Sequence, residues 1–116
     1  MITIELKDLQ FFSFHGLHEA ERILGNNFAV NVSVTINAQN SISNLDQSVD
    51  YVLLYEIVKK RMEIPTALLE TLVQEMSAQI HSTFVNATAI NISIDKIFPP
   101  ISGFQGTVGV SFTEEF

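Results

Sequence analysis

The chain has 116 residues, six Lys+Arg against 13 Asp+Glu for a net charge of −7, and no Cys. That balance repels phosphate backbones and anionic lipid, which excludes nucleic-acid and membrane-surface roles, and the missing thiols exclude disulfides, thiolate nucleophiles and Cys-based metal sites. With 47% hydrophobic and only 16% charged residues, a single domain over 1–116 can bury a real core and still leave faces for further copies of the chain to cover.

In chain order, Ile2, Ile4 and Leu6 begin a strand whose alternation slips near Asp8 before resuming at Leu9 and Phe11, the mark of a bulge. Alternation at the amino terminus is not the continuous apolar run of a signal peptide, and no stretch approaches the ~20 apolar residues of a membrane span, so a cytoplasmic protein is expected. Phe28, Val30, Val32, Val34, Ile36 and Ala38 then alternate with small polar residues, a strand over 28–38 with one buried face. The period changes at Tyr51, Leu54, Tyr55, Val58 and Met62, and again at Leu69, Leu72, Val73, Met76 and Ile80, predicting two amphipathic helices. Asp50 or Ser48 would cap the first, with Pro65 and Thr66 breaking the chain and capping the second. Strands return over 88–96, with Ile90, Ile92 and Ile94 inward, and over 107–113, with Val108, Val110 and Phe112 inward.

The order is ββααββ, which predicts a two-layer α+β domain: a four-stranded, mainly antiparallel sheet with two helices on one face. The other face would carry Ala29, Asn31, Ser33, Thr35, Asn37, Ala89, Asn91, Ser93, Thr107, Gly109, Ser111 and Thr113, none of them charged. A free sheet face normally bears Lys and Glu, so this one suits a wet lumen enclosed by several sheets joined edge to edge.

Few residues have chemistry to offer. Lys96 continues the inward parity of Ile90, Ile92 and Ile94 at a strand end. It is either a candidate for proton transfer or a lysine that reaches outward to solvent. Glu70 falls in the first turn of the second helix, where the helix dipole alone favours a carboxylate. Tyr51 ends an apolar stripe and reads first as core, with a hydroxyl that needs a partner if buried. Glu21 beside Arg22 reads as a solvated pair. His15 and His18 are three apart, but the one other histidine, His81, shares an exposed stripe with Glu70, Gln74 and Ser77, so no metal site is expected.

Taken together, these pieces resemble the dihydroneopterin aldolase family over essentially the whole chain. The resemblance rests on Phe14-His15-Gly16 with Glu21 five residues on, Gly25 and Phe28 opening the long strand, and Ser48-Val49-Asp50-Tyr51 leading into Tyr55-Glu56. Leu68-Leu69-Glu70 and Lys96-Ile97-Phe98-Pro99-Pro100 followed by Gly103 complete it. It implies the tunnelling fold, with four subunits closing a barrel, two rings stacking into an octamer, and active sites between subunits. By resemblance, Glu70 anchors the pterin together with the backbone beside Leu69, Tyr51 and Glu21 contact substrate, and Lys96 is the general acid/base. Lys96, Tyr51 and Glu21 would then be the catalytic set, with no metal, cofactor or Schiff base. The implied activity is cleavage of 7,8-dihydroneopterin in folate biosynthesis. A dihydroneopterin or dihydroneopterin-triphosphate epimerase, and a non-catalytic pterin-binding ring subunit, are the alternatives. Asp50, Phe98 and Ser102 depart from the family pattern beside this site.

Overall fold

The computed structural model describes residues 1–38, 42–44, 48–99 and 101–116. Its elements run β1 (Ile2–Ser13), α1 (Glu19–Leu24), β2 (Asn26–Ile36), α2 (Tyr51–Met62), α3 (Leu69–Thr83), β3 (Ala87–Ile97) and β4 (Thr107–Glu115). All strand pairings are antiparallel, in the spatial order β1-β2-β3-β4. The ββααββ frame is therefore present, with one addition, the six-residue α1 between the first two strands. It is too short to show a 3.6-residue period, though its acidic first turn and the Gly25 that ends it at φ 73° are start and stop signals.

Alternation sorts the core. Phe28, Val30, Val32, Val34, Ile90, Ile92 and Ile94 are all at most 1% exposed, facing Leu54, Val58 and Met62 of α2 and Leu72, Val73, Met76 and Ile80 of α3. The helices lie side by side, α2 over β1 and α3 over β3 and β4. The register of β1 shifts between Leu6 and Leu9, with Asp8 in the left-handed region at φ 56°, so the bulge falls where the sequence phase slips.

Three readings need correction. Tyr51 is 61% exposed rather than core, because it is the first residue of α2, ahead of the first position that the helix buries, Leu54. Thr66 does not cap α3; Leu68 occupies the N-cap and supplies no side-chain bond. Ser77 is fully buried and donates to Glu114 Oε1 at 3.0 Å, so it shares no exposed stripe with His81. At the start of α2 the choice of cap is settled, since Asp50 Oδ1 accepts from the N–H groups of Val52 (2.9 Å) and Leu53 (3.4 Å).

The open sheet face also differs from its prediction. Its small polar side chains bond across strands: Asn31 Nδ2 donates to Ser93 Oγ at 3.3 Å, Asn91 Nδ2 to Thr113 Oγ1 at 2.5 Å, and the Thr3 and Thr35 hydroxyls meet at 3.0 Å. Yet the register places Glu5 opposite Ser33, Asp95 opposite Ala29 and Glu115 opposite Ala89, so the face carries acids as well. Gly109 makes room for one of them, because a Cβ there would lie 1.9 Å from Asp95 Oδ1.

Candidate active site

The site forms where β2 starts, β3 ends and α3 begins. Residue parity puts Lys96 in the core-facing row of β3, paired with Phe28 on one side and Val108 on the other. An ammonium group there needs an anion, and α1 delivers one. Glu21, on the inner side of α1, makes a short ion pair with Lys96; the two side chains are 6% and 14% exposed. Glu21 is thus a buried partner of Lys96 and not a solvated partner of Arg22, which is exposed. Burial by itself pushes the Glu21 carboxyl up, but the hydrogen bond and charge of Lys96, with the His18 N–H donating to Oε1 at 3.4 Å, hold it below the usual carboxylate range.

The pair opens onto a cavity of about 280 Å³, near the lower end of the roughly 300–1,000 Å³ typical of small-ligand pockets. Leu17, Leu68, Leu69, Ile101, Val108 and Val110 give apolar walls, while Glu21, Lys96, His18 and Glu70 supply the polar groups. Glu70 is exposed in the first turn of α3, and among the described residues no side chain caps that turn, so its carboxylate and the backbone N–H groups that a helix start leaves without intrahelical partners stand at the rim. The structure therefore brings Glu21, Lys96, Leu69 and Glu70 together. Tyr51 is not among the lining residues. It begins α2, whose other end reaches this region through Arg61, and the helical rise from Tyr51 to Arg61 is about 15 Å.

Of the two histidines near the site, His18 lines the pocket and is exposed, while His15 is 0% exposed, with Nδ1 accepting the Thr66 N–H at 3.1 Å. Burial lowers the His15 pKa to about 4; the charges of Arg61 and Lys96 act in the same direction, and the Met62 backbone offsets only part. Phe98 sits just past Lys96 at φ 56° and is 81% exposed, its carbonyl accepting from Asn26 Nδ2 at 3.3 Å. Pro100, second of the proline pair, lies outside the described residues. Sequence reasoning alone missed the burial of Glu21 and the apolar wall from Leu17, Leu68 and Ile101; the one signal was a glycine bracketing each end of the segment, Gly16 and Gly25.

Comparison with known proteins places the chain in a family. The chain is 29% identical to dihydroneopterin aldolase of Streptococcus pyogenes, over 99% of each chain. It is 25% identical to the Bacillus subtilis enzyme, over 99% of this chain and 98% of that one. In fold it is similar to E. coli dihydroneopterin aldolase, whose structure was solved in complex with neopterin: TM-score 0.82, 17% identity, 98% of this chain and 99% of that one. A model of the FolB dihydroneopterin aldolase family matches residues 4–113, nearly the full length, and the chain belongs to that family.

Proposed function

We propose that this aldolase cleaves 7,8-dihydroneopterin by a retro-aldol step to 6-hydroxymethyl-7,8-dihydropterin and glycolaldehyde, as a cytoplasmic homo-oligomer serving folate biosynthesis. The observation that supports the reading most directly is the buried Lys96–Glu21 pair sharing one pocket with the Glu70 carboxylate. A pterin ring presents an amino group beside a ring N–H, a two-donor edge that Glu70 can accept bidentately while free N–H groups at the start of α3 bind the ring's acceptors. Apolar walls from Leu69 and Val110 suit the ring's flat faces. So anchored, the side chain points toward Lys96 and Glu21.

The reaction needs a base for the side-chain hydroxyl on the far carbon and a sink for the electrons of the breaking carbon–carbon bond. The dihydropterin imine is that sink, which makes a Schiff base or a metal unnecessary. Lys96 moves the hydroxyl proton through water, Glu21 holds the hydroxyls and keeps the amine in place, and Tyr51 helps protonate the enamine carbon. Glycolaldehyde that re-adds through its other face before leaving would epimerise the side chain. Tyr51 lies too far along α2 to act within one chain, so it comes from a neighbouring copy in a ring.

Lys96→Ala should lower kcat by about 10²–10⁴-fold while pterin affinity stays within a few-fold of wild type; loss of both in equal measure would refute the role. Wild-type turnover, scored as glycolaldehyde, should persist with chelator, and borohydride added during turnover should leave Lys96 unmodified. Activity lost to chelator would overturn the metal-free mechanism.

A further inference from the structure

Thr66 is fixed on three sides. Its N–H donates to His15 Nδ1 at 3.1 Å, its carbonyl accepts the Gly16 N–H at 3.0 Å, and its hydroxyl accepts from Arg61 Nη2 at 2.9 Å. Arg61, 4% exposed, is itself held by Glu75 at 2.5 Å and by the Ile64 carbonyl at 3.1 Å. The first two bonds form a reciprocal clamp between two loops that share no secondary structure. One loop continues through Gly16 into α1 and Glu21, and the other continues through Leu68 into α3 and Glu70.

The clamp also touches the catalytic carboxylate. A Cβ built on Gly16 would lie 2.5 Å from Glu21 Cβ and 2.7 Å from Oε1, so the Glu21 side chain crosses directly over the clamped peptide. His15 is wedged edge-on against Phe28 with centroids 5.3 Å apart, and Phe28 is the strand neighbour of Lys96. Leucine could fill that space. It could not accept the Thr66 N–H, which the imidazole accepts at Nδ1 while remaining fully buried.

We propose that His15 is a positioning residue for the aldolase reaction: with Gly16 it locks the loop bearing Glu21 to the loop bearing Glu70, and so sets the spacing between the Lys96–Glu21 pair and the pterin anchor. The proposal rests on the aldolase reading above. A displacement of about 1 Å between an anchor and the reacting groups is enough to cost on the order of 10²-fold in rate.

The test compares His15→Leu, which fills the space without an acceptor, with His15→Asn, whose Oδ1 can take the place of Nδ1. Two readouts are needed: steady-state cleavage of 7,8-dihydroneopterin, and the ¹³C-NMR titration of the Glu21 carboxyl, which requires no activity. His15→Leu should lose at least tenfold in kcat with a smaller change in KM, and its Glu21 titration should move upward as contact with Lys96 loosens. His15→Asn should recover both. If His15→Leu does not fold, Gly16→Ala, which pushes on Glu21 from the same peptide, should show the same upward movement. An unchanged Glu21 titration in the folded variant, or equal loss in the Leu and Asn variants, would overturn the clamp. A wild-type protein that releases no glycolaldehyde would overturn the aldolase reading alone, and the titration would still decide the clamp.

Discussion

His15 illustrates how one residue couples packing to protonation. Its ring is fully buried, its pKa falls from 6.5 to about 4, and in the neutral form Nδ1 remains an acceptor for the Thr66 N–H. The sign of the consequence follows from proton counting: between those two values the unfolded chain binds a proton at residue 15 that the folded chain excludes, so stability falls as pH drops through this window. The full effect is at most about 3 kcal/mol, complete near pH 4. Glu21 acts in a lower window. Its folded pKa is depressed, so the stability it lends is present above the ordinary carboxylate value and is lost as pH falls through the folded one. Urea unfolding at pH 7, 5.5 and 4.5 should therefore show a decline in wild type that His15→Asn, which cannot titrate, largely lacks. Parallel declines in both proteins would count against a neutral buried imidazole. Sequence exposed Lys96 through strand parity, but Glu21 was misread as solvated and the burial of His15 gave no signal, because both depend on α1 and the loop before it folding back over the end of β3, a non-local event that leaves no periodic trace.

At the scale of elements, the long ones were legible because each buries a single face. Five apolar positions of α3, Leu69, Leu72, Val73, Met76 and Ile80, are all buried as their spacing predicts. In α2 the stripe held only for Leu54, Val58 and Met62, while Tyr51 and Tyr55 lie at the margin, Tyr55 stacking on Phe11 with centroids 6.1 Å apart. Periodicity marks which side of a helix is apolar but not how far the sheet beneath it extends. Short connectors escaped for a different reason: the loop before α1 and the turn before α3 are held to each other by the His15 and Gly16 bonds to Thr66, which leave no periodic pattern in either segment, and α1 itself is too short to show one. Asp50 is the opposite case, a local device visible in the sequence. Its two N–H bonds give it a structural task independent of substrate. Asp50→Ala should cost about 1 kcal/mol, a fall in Tm of roughly 4 °C by calorimetry, whereas Asp50→Asn should stay near wild type. No change in Tm on losing the cap would mean that packing alone holds the start of α2.

The whole molecule is an elongated slab, 52 × 24 × 21 Å, with β1 and β4 as the two free edges of its sheet. Edges of 12 and nine residues without proline are a standing invitation to pair, and pairing β4 of one copy with β1 of the next would propagate the sheet into a closed ring with the hydrogen-bonded polar face inside. The same operation solves a problem of distance. The pocket lies along β4 through Val108 and Val110, whereas Tyr51 starts α2, which covers β1. Joining the two edges carries the α2 of one copy toward the pocket of another. This can be tested without a structure of the assembly. Lys96→Ala and Tyr51→Phe variants should each be nearly inactive alone, but after refolding together at equal amounts about a quarter of the sites in random rings would draw an intact lysine and an intact tyrosine from different subunits. Mixing should therefore restore about a quarter of wild-type cleavage, in a species that sediments as an oligomer. If Tyr51 acted within its own chain, every site in the mixture would still carry one lesion and activity would stay at the level of the single variants; a monomer in sedimentation would remove the ring itself.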